Sequence, residues 1–293
     1  MVENKNIIIM YHYIRDNTKL KAFSTEEFRK QIEYLNNRYK IISIEDFIIK
    51  KPKGNTCILT FDDGLKDGLT NALPILEELN LKGSFFIPTY VLKNKKMLDV
   101  QKRHLLLAKL GVNEFVKEFN KTAENVFHIK DDGKKNDYDD SLTSNLKYVL
   151  DNIDKKKSKN ILNSIFKKNF DEEHEFSKIY LTKKDIKKMK SKGMEIGSHT
   201  HEHLWLGKLY FKDMKKDLEK STTIFKKNFG YNPKIICYPF GSFNTFTKRV
   251  AKQLGIIAGV TINKNYNTTK TDPLSLNRYD CIDLFPWKNK FNL

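Results

Sequence analysis

The chain has 293 residues, 39% hydrophobic and 31% charged, with 54 Lys and Arg against 36 Asp and Glu for a formal charge of +18. That length buries a full core without staples, the composition is that of a globular protein and not a disordered tail, and no apolar run approaches the roughly 18 residues of a membrane span. Cys57, Cys237 and Cys281 stand far apart with no CxxC pair, which argues against a zinc ribbon or a disulfide scaffold.

The opening, MVENKNIIIMYHYIRD, has no signal-peptide pattern. With the odd cysteine count it leads to the expectation of a reducing, cytoplasmic setting. The basic residues are spread over KKKSKN, KKDIKKMKSK and KKDLEKSTTIFKKN instead of one arm, so they read first as solvated helix faces. The second reading is a patch for an acidic glycan carrier or the inner face of a membrane. A nucleic-acid partner is suggested by charge alone and no nucleic-acid motif accompanies it, so none is expected.

In chain order, Asn6 to Ile14 is β-branched and apolar and reads as a buried strand. Ser24-Thr25-Glu26-Glu27 is a capping box opening an amphipathic helix with Phe28, Ile32 and Leu35 on one face. An Ile41-Ile42 strand precedes a short helix from about Ser43, and KPKGN is a turn. Thr56 to Phe61 is a strand ended by Asp62-Asp63-Gly64; a helix through Ala72, Leu73, Leu76 and Leu79 follows, then a strand from Gly83 to Pro88. The rhythm returns at Thr182, which caps a helix stopped by Gly193. Strands are expected at Met194–Gly197, Ile235–Tyr238, Ile257–Ile262 and Leu274–Ile282, with helices at Phe211–Phe229 and Thr245–Leu254. Residues 93 to 180 break the rhythm and read as a helical insertion or lid within one catalytic domain spanning 1–293.

Strand, loop, helix, strand is the pattern of a mostly parallel α/β sheet or barrel, with ligands at the C-terminal ends of strands. Three such ends carry residues of interest: Asp62 and Asp63, His199 to His203, and Pro239 to Gly241. In Thr60-Phe61-Asp62-Asp63-Gly64, adjacent carboxylates after an apolar strand are costly without a positive charge between them. One could bind a metal while the other takes a proton from water; the plain alternative is a turn with a helix-capping Asp. In Ser198-His199-Thr200-His201-Glu202-His203, three of the seven histidines fall within five residues. A helical turn would pair His199 with His203, and an extended segment would face all three one way, so spacing alone does not choose. HExxH fails because position 205 is Trp205, and HTHEH is one residue short of the HxHxDH run of metallo-β-lactamase-like hydrolases. An Asp and two His from different strand ends would leave one position open for water, the catalytic type of site.

TFDDG, EIGSHTHEHLWL and CYPFG, in that order, resemble the motifs of the polysaccharide deacetylases, the NodB-homology group also called carbohydrate esterase family 4. MYHYI, FRKQIEYLNNRYKIISIEDF and NALPILEELNLKGSFFIP resemble that family's flanking segments, so the likeness covers about 1–92 and 180–280. It implies a distorted (β/α)7-type barrel that removes N- or O-acetyl groups from sugars with a divalent metal. Zn²⁺ is the first choice, and Co²⁺ or Ni²⁺ suit the same donors.

Carried over by motif, Asp63, His199 and His203 are the implied ligands and Asp62 the implied general base. Water on the metal would attack the acetamide, with the oxyanion held near the Phe240 amide in the Tyr238-Pro239-Phe240 segment. His201 is expected to point away from the metal. Two departures stand out. The Arg usually two residues before the motif proline is Cys237 here, and Arg278 is the candidate replacement. No histidine follows His203, so the general acid falls to His12, as in relatives acting on poly-N-acetylglucosamine. His104, His128 and His174 read as surface residues. Tyr11, Trp205, Tyr238, Phe240 and Trp287 are candidates for a sugar-stacking groove, with core packing the commoner role of such side chains. The implied partners are an N-acetylated sugar, a nucleotide sugar or a lipid-linked glycan. The alternatives are a non-catalytic glycan-binding relative and a deformylase or amidase on the same barrel.

Overall fold

The computed structural model describes residues 5–52, 54–123, 129 and 139–284. The strands are β1 (Ile7–Tyr11), β2 (Lys40–Ile41), β3 (Thr56–Phe61), β4 (Ser84–Ile87), β5 (Glu195–Ser198), β6 (Ile235–Cys237), β7 (Ala258–Val260) and β8 (Tyr279–Asp280). The helices are α1 (Thr25–Asn36), α2 (Ile44–Lys50), α3 (Leu73–Glu78), α4 (Thr89–Asn94), α5 (Asp99–Thr122), α6 (Ser141–Asn152), α7 (Lys155–Asn169), α8 (Glu172–Ile179), α9 (Lys183–Ser191), α10 (Phe211–Phe229) and α11 (Thr245–Gln253). Their starts follow side-chain chemistry. Ser24 and Glu27 form the capping box of α1, Thr182 and Asp185 that of α9, and Asn244 caps α11.

The chain divides into two compact units. The described parts of residues 1–16, 22–95 and 179–288 form the first, which holds all eight described strands. The described parts of 17–21 and 96–178 fall in the second, where α5, kinked at Gly111, packs with α6 and α7. Inside this helical unit Lys102 is buried against Glu172, 2.8 Å away, and Arg103 bonds Asp151 at 2.7 Å.

The first unit is a distorted (β/α) barrel. Its sheet is parallel throughout, in the order β7-β6-β5-β4-β3-β1-β8, with β2 beside the start of β3 and β4 beside its end. All six residues of β3 are buried, which is why they read as one continuous apolar run without alternation. Phe61 stacks between Tyr11 and Phe85, at centroid separations of 5.3 and 4.4 Å, and ties the middle strands together.

The sheet closes on itself through residues 276–280. Leu276 bridges Val260 of β7, and three residues later Tyr279 and Asp280 pair with Ile9 and Met10 of β1. The expected strand Leu274–Ile282 is therefore short. Pro273 has no N–H for a ladder, Asp272 and Asp280 cap the amides of Leu274 and Ile282, and a 3₁₀ turn forms on each side of β8. The first strand also ends early, at Tyr11, which leaves His12 just past its end. Ile262, expected at the close of β7, lies beyond Val260 and is exposed.

Gly197, in the strand leading to the histidines, has no room for a side chain. A Cβ there would stand 2.6 Å from Ile235 and 2.8 Å from the Phe86 ring. Gly197→Ala is expected to lower the unfolding free energy by about 1–3 kcal/mol, the cost of overpacking, as read from the urea midpoint. An unchanged midpoint would mean that β5 and β6 separate freely.

Candidate active site

The two adjacent carboxylates diverge because the chain turns between them. Asp62 still follows the ladder, its N–H donating to the Tyr11 carbonyl at 3.0 Å. Asp63 (φ 67°) and Gly64 (φ 63°) then take left-handed conformations, which Asp tolerates and Gly favours. Asp62 faces Arg278 and Cys237, and Asp63 faces the histidine loop.

That loop is neither helical nor extended. Thr200 (φ 64°) and His203 (φ 56°) are both left-handed, and the result selects two of the three histidines. His199 Nε2 and His203 Nε2 each lie 3.2 Å from Asp63 Oδ1. His201 turns elsewhere: its Nδ1 is 2.9 Å from the Thr89 hydroxyl and its ring is edge-on to Tyr90.

Around Asp62 the structure assembles three groups. Arg278 reaches it with two parallel bonds, Nη1 to Oδ1 at 2.9 Å and Nη2 to Oδ2 at 2.8 Å, and is fixed by the Thr261 carbonyl at 2.7 Å. The Cys237 thiol, at the position where the motif usually has arginine, donates to Asp62 Oδ2 at 3.3 Å and accepts from Arg278. His12 follows Tyr11, whose register partner is Phe61, so it stands beside Asp62 with Nε2 4.0 Å from Oδ2. The His12 side chain is 36% exposed and Asp62 is buried, so the pair lies at the edge of solvent.

The charges follow from these partners. Burial would raise the Asp62 carboxyl, but the Arg278 charge, aided by His199, holds it below the ordinary carboxylate value. Burial likewise opposes ionised Asp63, and the bonds from His199 and His203 carry it well below that value. His199 is raised despite burial, by Cys237 and the carboxylates of Asp63 and Asp62. Burial lowers His203, and it brings His201 down to about 4, so that ring is neutral. Burial raises the Cys237 thiol and keeps its proton on.

The donor set fits a divalent cation. His199 Nδ1 lies 2.9 Å from the Cys237 carbonyl, which can only accept, so Nδ1 carries the proton. In the neutral ring Nε2 is then a bare lone pair aimed at a carboxylate oxygen, an arrangement that needs a proton or a cation between. Ligands about 2.0–2.2 Å from a tetrahedral ion stand about 3.3–3.5 Å apart, close to the observed 3.2 Å. A carbonyl on the far nitrogen is also the usual outer partner of a metal-binding histidine. Asp62, His199 and Cys237 form a second group of donors within 4.8 Å, but the Arg278 guanidinium, 2.8 Å from Asp62 Oδ2 and 3.0 Å from Cys237 Sγ, already fills that charge role.

The profile of the family described as polysaccharide deacetylase matches residues 49–126 and 131–259. The chain belongs to the polysaccharide deacetylase family. It is 21% identical over 260 residues to YxkH of Bacillus subtilis (strain 168), a protein named for the same family, and spans 87% of this chain but only 63% of that protein. Among solved structures it resembles the Streptococcus pyogenes deacetylase PplD in complex with acetate (TM-score 0.62, 20% identity, 95% of this chain and 93% of that one). It also resembles IcaB from Ammonifex degensii (0.61, 15%, 97% and 94%) and the BpsB deacetylase domain from Bordetella bronchiseptica (0.59, 15%, 94% and 95%).

In this member of the polysaccharide deacetylase family the aromatic candidates separate. Tyr11 and Tyr238 are core residues and not groove walls. The Tyr11 hydroxyl donates to Gln31 at 2.6 Å, and that of Tyr238 donates to the Leu274 carbonyl at 3.0 Å. Trp205 and Phe240 stack at 4.5 Å, and Phe240 lies edge-on to His203 at 4.8 Å. Trp287 and His128 lie outside the described residues. Pro239 is buried and starts a turn whose two bonds use the N–H groups of Gly241 and Ser242; the amide of Phe240 (φ 58°) takes no part in them.

Asp217 of α10, which accepts the amides of His201 and Glu202, escaped the reading of motifs. Its signal was an acid inside the apolar stripe of Met214, Leu218 and Phe225.

Arg278→Gln leaves Asp62 buried without its cation and is expected to cost about 3–5 kcal/mol of stability at neutral pH. Replacing both with leucine recovers most of that loss if the charge, and not the packing, is responsible. Because the folded Asp62 carboxyl is lowered, its contribution is present above the ordinary carboxylate range and lost as pH falls through the lowered value. In Arg278→Gln burial acts on the carboxyl without that guanidinium and raises it, so protonation relieves the penalty and the stability gap to the wild type should narrow as pH falls from neutral, as read from urea midpoints at a series of pH values.

Proposed function

We propose that the protein is a metal-dependent hydrolase that removes an N-acetyl, or O-acetyl, group from a sugar or glycan precursor. The observation that carries this reading is one buried carboxylate, Asp62, kept ionised by Arg278 beside a three-donor set of Asp63, His199 and His203. A non-catalytic glycan-binding relative has no need of that charge arrangement.

Asp63, His199 and His203 would hold a divalent cation, with Zn²⁺ first and Co²⁺ or Ni²⁺ compatible with the same donors. Such an ion supplies Lewis-acid chemistry and brings the pKa of a water from about 15.7 toward roughly 7. The chain's own residues do the rest. Asp62, with both oxygens fixed by Arg278, accepts the proton of the attacking water. The Phe240 amide, which takes no part in the bonds of its own turn, would donate to the oxyanion that develops on the acetyl carbonyl; one such donor contributes about 3–4 kcal/mol in comparable sites. As the carbon–nitrogen bond breaks, His12 gives its proton to the leaving amine. The products are acetate and an amino sugar.

The substrate is an N-acetylated sugar, nucleotide-linked or on a lipid carrier. Cys57, Cys237 and Cys281 are free and buried. Among the described residues no helix is long and apolar enough to cross a membrane.

Acetate release over a panel of nucleotide sugars, lipid-linked sugars and oligosaccharides tests the reading. Activity should vanish on chelation and return with zinc. Asp62→Asn is expected to keep its metal and lose roughly 10²- to 10⁴-fold in turnover. His12→Gln should fall by a similar factor with metal content unchanged, the loss growing with the basicity of the leaving amine. Wild-type turnover in either variant removes that residue from its role.

A further inference from the structure

Thr200 and His203 hold left-handed conformations without being glycine. A β-branched residue takes that conformation only when its surroundings impose it. The imposing element is α10. Its buried side carries Met214, Leu218 and Phe225 and, among them, Asp217 and Ser221 one turn apart.

Asp217 Oδ1 accepts the His201 N–H at 2.8 Å and Oδ2 accepts the Glu202 N–H at 2.9 Å. Ser221 Oγ lies 2.8 Å from Ser198 Oγ, which accepts the Thr200 N–H at 3.0 Å. Thr200 Oγ1 accepts the His203 N–H at 3.2 Å. Four consecutive amides thus end on side-chain oxygens. The carbonyls of Thr200 and His201 in turn accept the amides of Thr89 and Tyr90 at the start of α4. Apart from the Ser221–Ser198 contact these bonds engage backbone, and the imidazoles of His199 and His203 are left to face Asp63.

We propose that Asp217 is the positioning residue of this loop: by accepting two adjacent amides from α10 it sets His199 and His203 in their ion-receiving arrangement before any ion arrives. The choice of residue follows from its chemistry. An ionised carboxylate has two acceptor oxygens and no donor. Asparagine can satisfy one of the two amides and must turn its NH₂ against the other. The ion in this proposal is the one of the proposed function, but the loop geometry does not depend on that reading.

Asp217→Asn in the full chain tests it with two measurements. In metal-free protein, the amides of His201 and Glu202 should exchange hydrogen slowly in the wild type and much faster in the variant, while amides within β5 and α10 keep their rates. In a competition titration with a chromogenic chelator, the zinc dissociation constant should rise about 10- to 100-fold, the usual effect of losing an outer partner of a metal site, with one ion still bound at saturation. Unchanged exchange at residues 201 and 202, or an unchanged zinc constant with only a lower melting temperature, would overturn the proposal. Should Asp217→Asn fail to fold, Asp217→Ser, which keeps a single acceptor oxygen, is read by the same two measurements with the same expected and overturning results. Should the wild type bind no zinc, the metal of the proposed function fails, and the exchange measurement alone still decides on Asp217.

Discussion

Two carboxylates buried side by side at the end of one strand are the constraint on which the rest of this site depends. Neither can stay ionised in an apolar interior without a positive partner, and one cation cannot serve both if they are to do different work. The protein separates them with a left-handed turn at Asp63 and Gly64. Asp62 receives a guanidinium in parallel geometry, the strongest form of that pair. Asp63 receives two imidazole nitrogens at 3.2 Å. In the proposed function the first is the base and the second the anchor.

The same segment that closes the barrel delivers the guanidinium. Leu276 is tied to β7 and Tyr279 to β1, so Arg278 stands where the first and last strands meet, opposite the end of β3. A residue there is held from both sides and has little freedom to leave Asp62. This explains how the motif accommodates Cys237 in place of arginine. The charge comes from another strand, and the smaller thiol leaves room for it while adding a hydrogen bond to Asp62 Oδ2. One segment thus both closes the sheet and carries the guanidinium that pairs with Asp62.

Several parts were legible in the residues. Thr56–Phe61 and Phe211–Phe229 match the observed elements end to end, because a continuous apolar run and a regular stripe are local signals. The caps at Ser24 and Thr182 and the helix start near Ser43 were legible for the same reason: each capping bond spans three residues. The last strand was not, since Pro273 and two Asp caps broke a sequence whose apolar pattern alone reads as extended. Nor was the histidine loop, whose spacing suits a helix or a strand equally and which adopts neither. Tyr238 shows the limit of motif reading, because its place beside the site in sequence says nothing of its ring, which packs into the core against Phe243.

The amino-acid sequence by itself determined the parallel strand–helix rhythm, the order of three chemical motifs, and hence the family and its candidate donors, because these rest on short windows of backbone preference and side-chain type. Only the tertiary structure decided that His12 stands beside Asp62, that Arg278 crosses 216 positions of chain to hold it, that His201 is excluded, and that Asp217 supports the loop. Each of these depends on strand register, on closure of the sheet or on the face one helix turns to its neighbour. Such relations exist only once distant segments share a core.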